Sequence, residues 1–217
     1  IEAGTYVIAG AMTGGRVKVE GCDPGHLSVM LARLHEAGVP FELGPGFIET
    51  QPYDPHDPSE GLRATDVTTL PYPGFPTDLQ AQWMALMTQA QGLSVITEKI
   101  YPDRYMHMPE LLRLGAELRR QNAGTAIVQG GTRLSGAPVT ASDLRASAAL
   151  VLAGLVAGTC ALNPVGGAGE KTAGYKGYSW ATVVELLCTA LRSEHCALKV
   201  LRLKHSKMRE AEAKKLA

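Results

Sequence analysis

Three charged residues stand at turns where a chain can do chemistry: Asp78, Arg104 and Arg145. Asp78 follows Pro71-Tyr72-Pro73-Gly74-Phe75-Pro76-Thr77. The prolines fix φ near about −65° and push each preceding residue towards extended geometry, so Asp78 is aimed at the mouth of the next helix. A carboxylate there can accept a proton from a sugar hydroxyl, and a helix N-terminus attracts ligand anions. The competing reading is capping: Thr77 as cap, Gln80 three residues on, and an acid in the first turn gaining about 0.3–1 kcal/mol from the helix dipole. Both readings are open on the sequence.

Arg104 lies in Ile100-Tyr101-Pro102-Asp103-Arg104-Tyr105-Met106-His107-Met108-Pro109-Glu110, after a strand end and before a helix opened by Pro109. Sites of α/β proteins collect at strand ends. The local alternative is an ion pair with Asp103 or Glu110. A second helix mouth, Ser142-Asp143-Leu144-Arg145, parallels the one at Asp78, and Arg145 can pair with Asp143 or fork onto a phosphate or carboxylate. Two aimed helix mouths imply one shared ligand cleft.

The elements that must hold these residues recur along the chain. An apolar helix from Gly4 to Met12 stops near Gly14, and one from Leu79 to Ala90 stops at Gly92; the second helices stop at Gly38 and Gly115. The two offsets agree to within a residue, which marks a duplicated unit. Strands are expected at Arg16–Glu20 and Leu93–Glu98, at Phe41–Leu43 and Thr125–Gln129, and at Ala64–Leu70 ahead of the second block. A third copy begins at Ala137, runs through the apolar helix Ala146–Ala157, and stops there. The fold class that follows is α/β built from repeated βαβαββ-like units.

Composition narrows the function classes. Of 217 residues 45% are hydrophobic, and 21 basic residues balance 21 acidic ones, so the whole chain has no electrostatic footprint for nucleic acid or an anionic membrane. No apolar run nears the roughly 20 residues of a membrane span, and the start lacks a signal-peptide pattern, so a cytoplasmic location is expected. The first residue is Ile1 and already reads as helix, which points to a truncated chain. Four cysteines and six histidines show no metal-ligand spacing, and no metal is expected.

Longer motifs carry a resemblance. Phe75-Pro76-Thr77-Asp78-Leu79-Gln80-Ala81-Gln82, Ile96-Thr97-Glu98, Asp103-Arg104-Tyr105-Met106-His107-Met108-Pro109-Glu110-Leu111, Leu134-Ser135-Gly136-Ala137-Pro138, Asp143 through Gly154 and the opening Ile1-Glu2-Ala3-Gly4-Thr5 resemble the UDP-N-acetylglucosamine 1-carboxyvinyltransferase family over residues 1 to about 157. The resemblance implies an inside-out α/β barrel of βαβαββ units, of which this chain holds an incomplete set. It implies transfer of the enolpyruvyl group of phosphoenolpyruvate to the 3′-hydroxyl of UDP-N-acetylglucosamine, with release of phosphate, in peptidoglycan synthesis. No cofactor is implied. By motif, Asp78 is the catalytic base, Ile100 offers backbone contact to the nucleotide sugar, Arg104 supports the cleft, and Asp143, Leu144 and Arg145 line it. The family's loop cysteine and phosphate-binding arginines belong to a complementary domain missing from this chain, and Cys22 is not that cysteine. The chain alone is therefore expected to be inactive or nearly so, with a non-catalytic folding or binding module as the alternative.

After residue 157 the pattern changes. Residues 158–191 are glycine-rich and then form a short helix expected at Thr182–Leu191; residues 192–217 are basic, with eight Lys/Arg against three Glu, which reads as a solvated helix or tail. Pro164-Val165-Gly166-Gly167-Ala168-Gly169 and Gly174-Tyr175-Lys176-Gly177-Tyr178 resemble a piece of the non-Rossmann malate/L-lactate dehydrogenase family, which uses NAD, with Lys176 the one residue of interest. Gly169-Glu170-Lys171-Thr172 departs from a phosphate loop, because Glu170 splits the Gly-Lys pair and repels phosphate.

Overall fold

Helix α1 (Glu2–Thr13) is built of small and apolar residues, and Gly14 closes it with φ 65°, its N–H donating to the Gly10 carbonyl. The other repeat-marking glycines share that hand: Gly38 at 87°, Gly92 at 108° and Gly115 at 89°. The left-handed region costs an L side chain but not glycine, so Gly14, Gly38 and Gly115 stand at helix stops as the repeat puts them, whereas the helix before Gly92 (Gln80–Met87) already ends at Thr88 and Gly92 only turns the chain into the next strand.

The computed structural model describes residues 1–140 and 143–157, together with the backbone of two short strands, Ala161–Asn163 and Leu198–Lys199. The rest of the glycine-rich segment, Lys176, the helix expected at Thr182–Leu191 and the bulk of the basic tail lie outside the described residues.

In chain order, α1 leads to β1 (Val17–Glu20), α2 (Ser28–Glu36), β2 (Phe41–Gly44) and β3 (Phe47–Thr50). Strand β4 (Val67–Thr68) precedes α3 (Gln80–Met87), β5 (Leu93–Thr97), α4 (Met108–Arg113), β6 (Glu117–Asn122) and β7 (Thr125–Gln129). The third copy supplies β8 (Pro138–Thr140), α5 (Leu144–Ala157) and β9 (Ala161–Asn163). In the second unit β4 runs parallel to β5, β5 pairs antiparallel with β7 in the register Val95↔Ile127, and β6 pairs antiparallel with β7. The first unit repeats this with β1, β3 and β2, and β10 (Leu198–Lys199) runs parallel to β1 as β4 does to β5. In the third, β8 and β9 are parallel.

Helices α1, α3 and α5 pack on one another, while β1 and β3 lie against α1 and β5 and β7 against α3. Every residue of α3 is buried. A helix buried on all sides, Gln80 and Gln82 included, has no solvent face to offer, so the sheets lie outside the helices. Trp83 is fully buried, packs edge-on against Phe75 at 5.3 Å and donates its indole N–H to the Thr65 carbonyl at 3.3 Å.

The expected elements and caps need correction at several points. The strand expected at Ala64–Leu70 is ladder-paired only at Val67–Thr68. The helix expected at Leu79–Ala90 is a 3-10 turn, Thr77–Leu79, followed by α3, and its cap residue is Pro76 with no side-chain cap bond. Thr77 is thus not a helix cap, because its hydroxyl is engaged elsewhere. Gln80 is no capping-box partner either: its amide is fully buried, with no partner among the described residues. Strands β3 and β6 were not anticipated; β6 reads Glu-Leu-Arg-Arg-Gln-Asn and is mostly exposed, so it carries no apolar alternation.

Two core positions generate tests. Gly130 follows β7, and a Cβ there would collide with the carbonyl oxygens of Ala90 and Met87 at the end of α3. Gly130→Ala is expected to lower unfolding free energy by about 1–3 kcal/mol, read from the urea midpoint, because backbone rather than a flexible side chain must give way. His107, just before α4, is 2% exposed and its Nε2 has no partner among the described residues. Burial pushes its pKa down to about 4, against the opposing pull of the Asp143 charge. The unfolded chain takes up this proton near the ordinary histidine value while the folded one does not, so the stability is present above that value and is lost as pH falls towards 4. Between pH 7 and pH 5 this amounts to about 2 kcal/mol. Urea unfolding followed by circular dichroism at the two pH values should show that drop, and His107→Leu should flatten it; an unchanged slope would rule out this role for His107.

Candidate functional site

The turn that carries Asp78 is held from below. Phe75 is 2% exposed and sits against Trp83, the Leu70 N–H donates to the Phe75 carbonyl, and the Gly74 N–H donates to the Pro71 carbonyl. The prolines narrow the backbone, but the buried ring anchors it. Pro76 is extended (φ −72°, ψ 128°), and Thr77 and Asp78 follow in the first turn of the 3-10 segment.

Asp78 Oδ1 accepts from two guanidinium groups, Arg145 Nε at 2.9 Å and Arg104 Nη1 at 3.2 Å. Of the pairings left open on the sequence, the local ones are not those the fold makes. Arg104 bonds across the chain to Asp78 rather than locally, because Asp103 is taken by Arg120 at 2.8 Å and Glu110 accepts the Thr140 N–H at 2.9 Å and lies near Arg113. Arg145 does not pair with Asp143. The Asp143 carboxylate instead accepts the N–H groups of Arg145 and Ala146, at 2.7 and 3.0 Å, and so caps α5. Arg145 is thereby turned out of the helix mouth towards Asp78, 67 residues away in sequence.

The second wall is the loop after β5. The Arg104 guanidinium lies 4.1 Å over the Tyr101 ring, a stacking that fixes its plane and leaves its edges free for bonding. The N–H groups of Ile100 and Tyr101 both donate to Glu98 Oε1, at 2.8 and 3.0 Å. Ile100 thus has its carbonyl, not its N–H, to offer a ligand. Glu98 Oε2 accepts from the Thr77 hydroxyl at 2.8 Å, and the same hydroxyl oxygen accepts from Arg104 Nη1 at 3.0 Å. The two walls are tied together by that chain of bonds.

Between them lies an open cleft of about 400 Å³, lined by Ile100, Tyr101, Arg104 and Met106 on one side and Asp143 and Arg145 on the other. Asp78 bridges the two arginines behind this lining. Two planar guanidiniums side by side can receive a phosphate or carboxylate, and a carboxylate between them can receive a hydroxyl proton through its second oxygen, which has no partner among the described residues. Leu144, also expected here, is 55% exposed at the start of α5 and does not line the cleft. Sequence reasoning missed the roles of Glu98, the Thr77 hydroxyl and the Tyr101 ring; the one available signal was an acid closing an apolar strand, Ile96-Thr97-Glu98.

Other groups stay out of the site. The Cys22 thiol is partly buried, burial pushes its pKa up, and it donates to the Val19 carbonyl, so it is no poised nucleophile. Among the described residues no three His, Cys, Asp or Glu side chains could hold a metal ion, and no helix is long and apolar enough to cross a membrane.

Comparison with known proteins agrees with this architecture. The family model described as EPSP synthase (3-phosphoshikimate 1-carboxyvinyltransferase) matches residues 1–165. UDP-N-acetylglucosamine 1-carboxyvinyltransferase of Koribacter versatilis is 52% identical over 158 residues, 72% of this chain and 35% of the relative. The protein of the same name from Parasynechococcus marenigrum is 52% identical over 157 residues, 72% of this chain and 34% of its own length. The chain thus spans about a third of the relatives it matches. Among solved structures, the enolpyruvyl transferase NikO from Streptomyces tendae superposes with a TM-score of 0.62 at 24% identity, covering 74% of this chain and 36% of its own. EPSP synthase from Acinetobacter baumannii gives 0.56 at 18% identity, over 71% of this chain and 36% of its own, and both show the shared fold. The likeness of the glycine-rich segment to a malate/lactate dehydrogenase finds no support in these comparisons, and Lys176 lies outside the described residues. A family model covering three quarters of the sequence, with the helices-inside architecture beneath it, assigns the chain to the EPSP synthase (3-phosphoshikimate 1-carboxyvinyltransferase) family.

Proposed function

We propose that this chain is one part of an enolpyruvyl transferase that moves the enolpyruvyl group of phosphoenolpyruvate to the 3′-hydroxyl of UDP-N-acetylglucosamine, releasing phosphate, in peptidoglycan synthesis in the cytoplasm. The observation that carries the reading is Asp78, held by Arg104 and Arg145 at a cleft that also presents Ile100. Its support comes from the relatives' names and from the fit of these groups to the chemistry.

In that reaction a sugar hydroxyl loses a proton, the enol carbon gains positive character and an anionic phosphate departs. Asp78 would take the hydroxyl proton through its unpaired oxygen. The two guanidiniums fix the carboxylate's orientation and leave further N–H groups for negative charge that gathers during transfer. The Ile100 carbonyl would meet the nucleotide sugar, and Asp143 would act by shaping the mouth of α5.

Residues 1–157 form the transferase-like unit in this reading, joined near residues 158–162 to the glycine-rich and basic segments. The relatives are about three times as long as the matched stretch, so a complementary domain is needed to close over both substrates. Phosphate release from the two substrates should be near zero for the chain alone and appear when the complementary domain is added. Asp78→Asn should then lower the rate by about 10²–10⁴-fold. Assembly without turnover would favour a binding module, and robust turnover by the chain alone would sink the requirement for a second domain.

A further inference from the structure

We propose that Glu98 is the positioning residue of this cleft: through the Thr77 hydroxyl it sets the Arg104–Asp78 pair, and through two backbone N–H groups it sets the loop that carries Ile100 and Arg104. The ligand named in one arm of the test below rests on the enolpyruvyl-transfer reading; the positioning role itself does not.

Glu98 closes β5 and is 1% exposed. Among the described residues no cation pairs with it, so its carboxylate is held by neutral donors alone. Oε1 accepts from the Thr69 hydroxyl at 2.6 Å and from the Ile100 and Tyr101 N–H groups at 2.8 and 3.0 Å; Oε2 accepts from the Thr77 hydroxyl at 2.8 Å. The Lys99 N–H in turn donates to the Thr69 hydroxyl oxygen at 2.9 Å, so the first turn of the loop is bound at three successive amides.

The decisive point is proton direction. A threonine hydroxyl has one proton, and a buried carboxylate can only accept, so Thr77 must give its proton to Glu98 and turn a lone pair outward. That lone pair accepts from Arg104 Nη1 at 3.0 Å, and the same nitrogen donates to Asp78 Oδ1 at 3.2 Å. Glu98 therefore decides the orientation of an arginine it does not touch. Glu98→Gln would reverse this: its carbonyl is drawn to the three donors at Oε1, and its NH₂ group would face Thr77, which then meets two donors and loses its place for the proton.

The test uses the full 217-residue chain and nuclear magnetic resonance, with no ligand needed for the first arm. Hydrogen exchange at the Ile100 and Tyr101 amides should rise by about tenfold or more in Glu98→Ala, with the core amide of Val128 unchanged. Should that variant fail to fold, Glu98→Gln decides. It should keep the two loop amides within about threefold of the parent while shifting the Arg104 Nε–H resonance, and Thr77→Val should shift it likewise whereas Thr77→Ser should not. Unchanged exchange in Glu98→Ala, or an Arg104 resonance indifferent to both Glu98→Gln and Thr77→Val, overturns the proposal. In the second arm UDP-N-acetylglucosamine is titrated, and Glu98→Gln should weaken binding about tenfold; equal affinity for parent and variant overturns the positioning role. A parent chain that binds no nucleotide sugar counts against the functional reading, and the ligand-free arm still decides the role of Glu98.

Discussion

A helix with no solvent-facing side constrains everything else in this protein. α3 is buried along its whole length, which leaves it one stable place, between other helices, with the sheets as outer walls. From that follow the paired sheets outside α1 and α3, the glycines where backbones approach closely, and the position of the cleft. The N-terminal turns of α3 and α5 emerge from the same end of the helical centre, so Asp78 and Arg145 meet although they belong to different repeat units.

The site itself is organised by directional bonding more than by net charge. Asp78, Arg104 and Arg145 are all partly exposed, and ion pairs of that kind contribute little stability on their own. Their geometry is defined by what stands behind them: a ring beneath one guanidinium, a helix cap that turns the other, and a buried acid that dictates which way a hydroxyl points. Such an arrangement places donors and acceptors before any ligand arrives, which is how a site reduces the reorganisation needed during reaction.

What could be read from the sequence differed by kind of interaction. The repeat was legible through Gly14, Gly38, Gly92 and Gly115, because left-handed backbone, at a helix stop for three of them and at the entry to β5 for Gly92, demands that residue type. The charged residues were legible because turns next to helices and strand ends are where such side chains act. Their partners were not, since Asp103 and Glu110 lie nearer to Arg104 in sequence than Asp78 does, and only the fold brings Arg120 and the Thr140 N–H to occupy them. Thr77 looked like a cap because caps are local, but its hydroxyl oxygen accepts from Arg104, 27 residues away, while its proton goes to the buried Glu98 carboxylate. β6 was hidden for the opposite reason: as an exposed edge it had no need of apolar alternation.

The sequence distances within the cleft also carry a temporal meaning. Bonds from Glu98 to Thr69, Thr77, Ile100 and Tyr101 span at most 29 residues and lie within the second repeat unit, whereas the bond from Arg145 to Asp78 spans 67 and waits on the third. Closing short loops costs less chain entropy than closing long ones, and contacts of low sequence separation form sooner. As the chain leaves the ribosome, the wall carrying Arg104 can reach its final shape before α5 exists. Arg145 then docks onto a carboxylate already in place, so the cleft is assembled by capture rather than by simultaneous collapse.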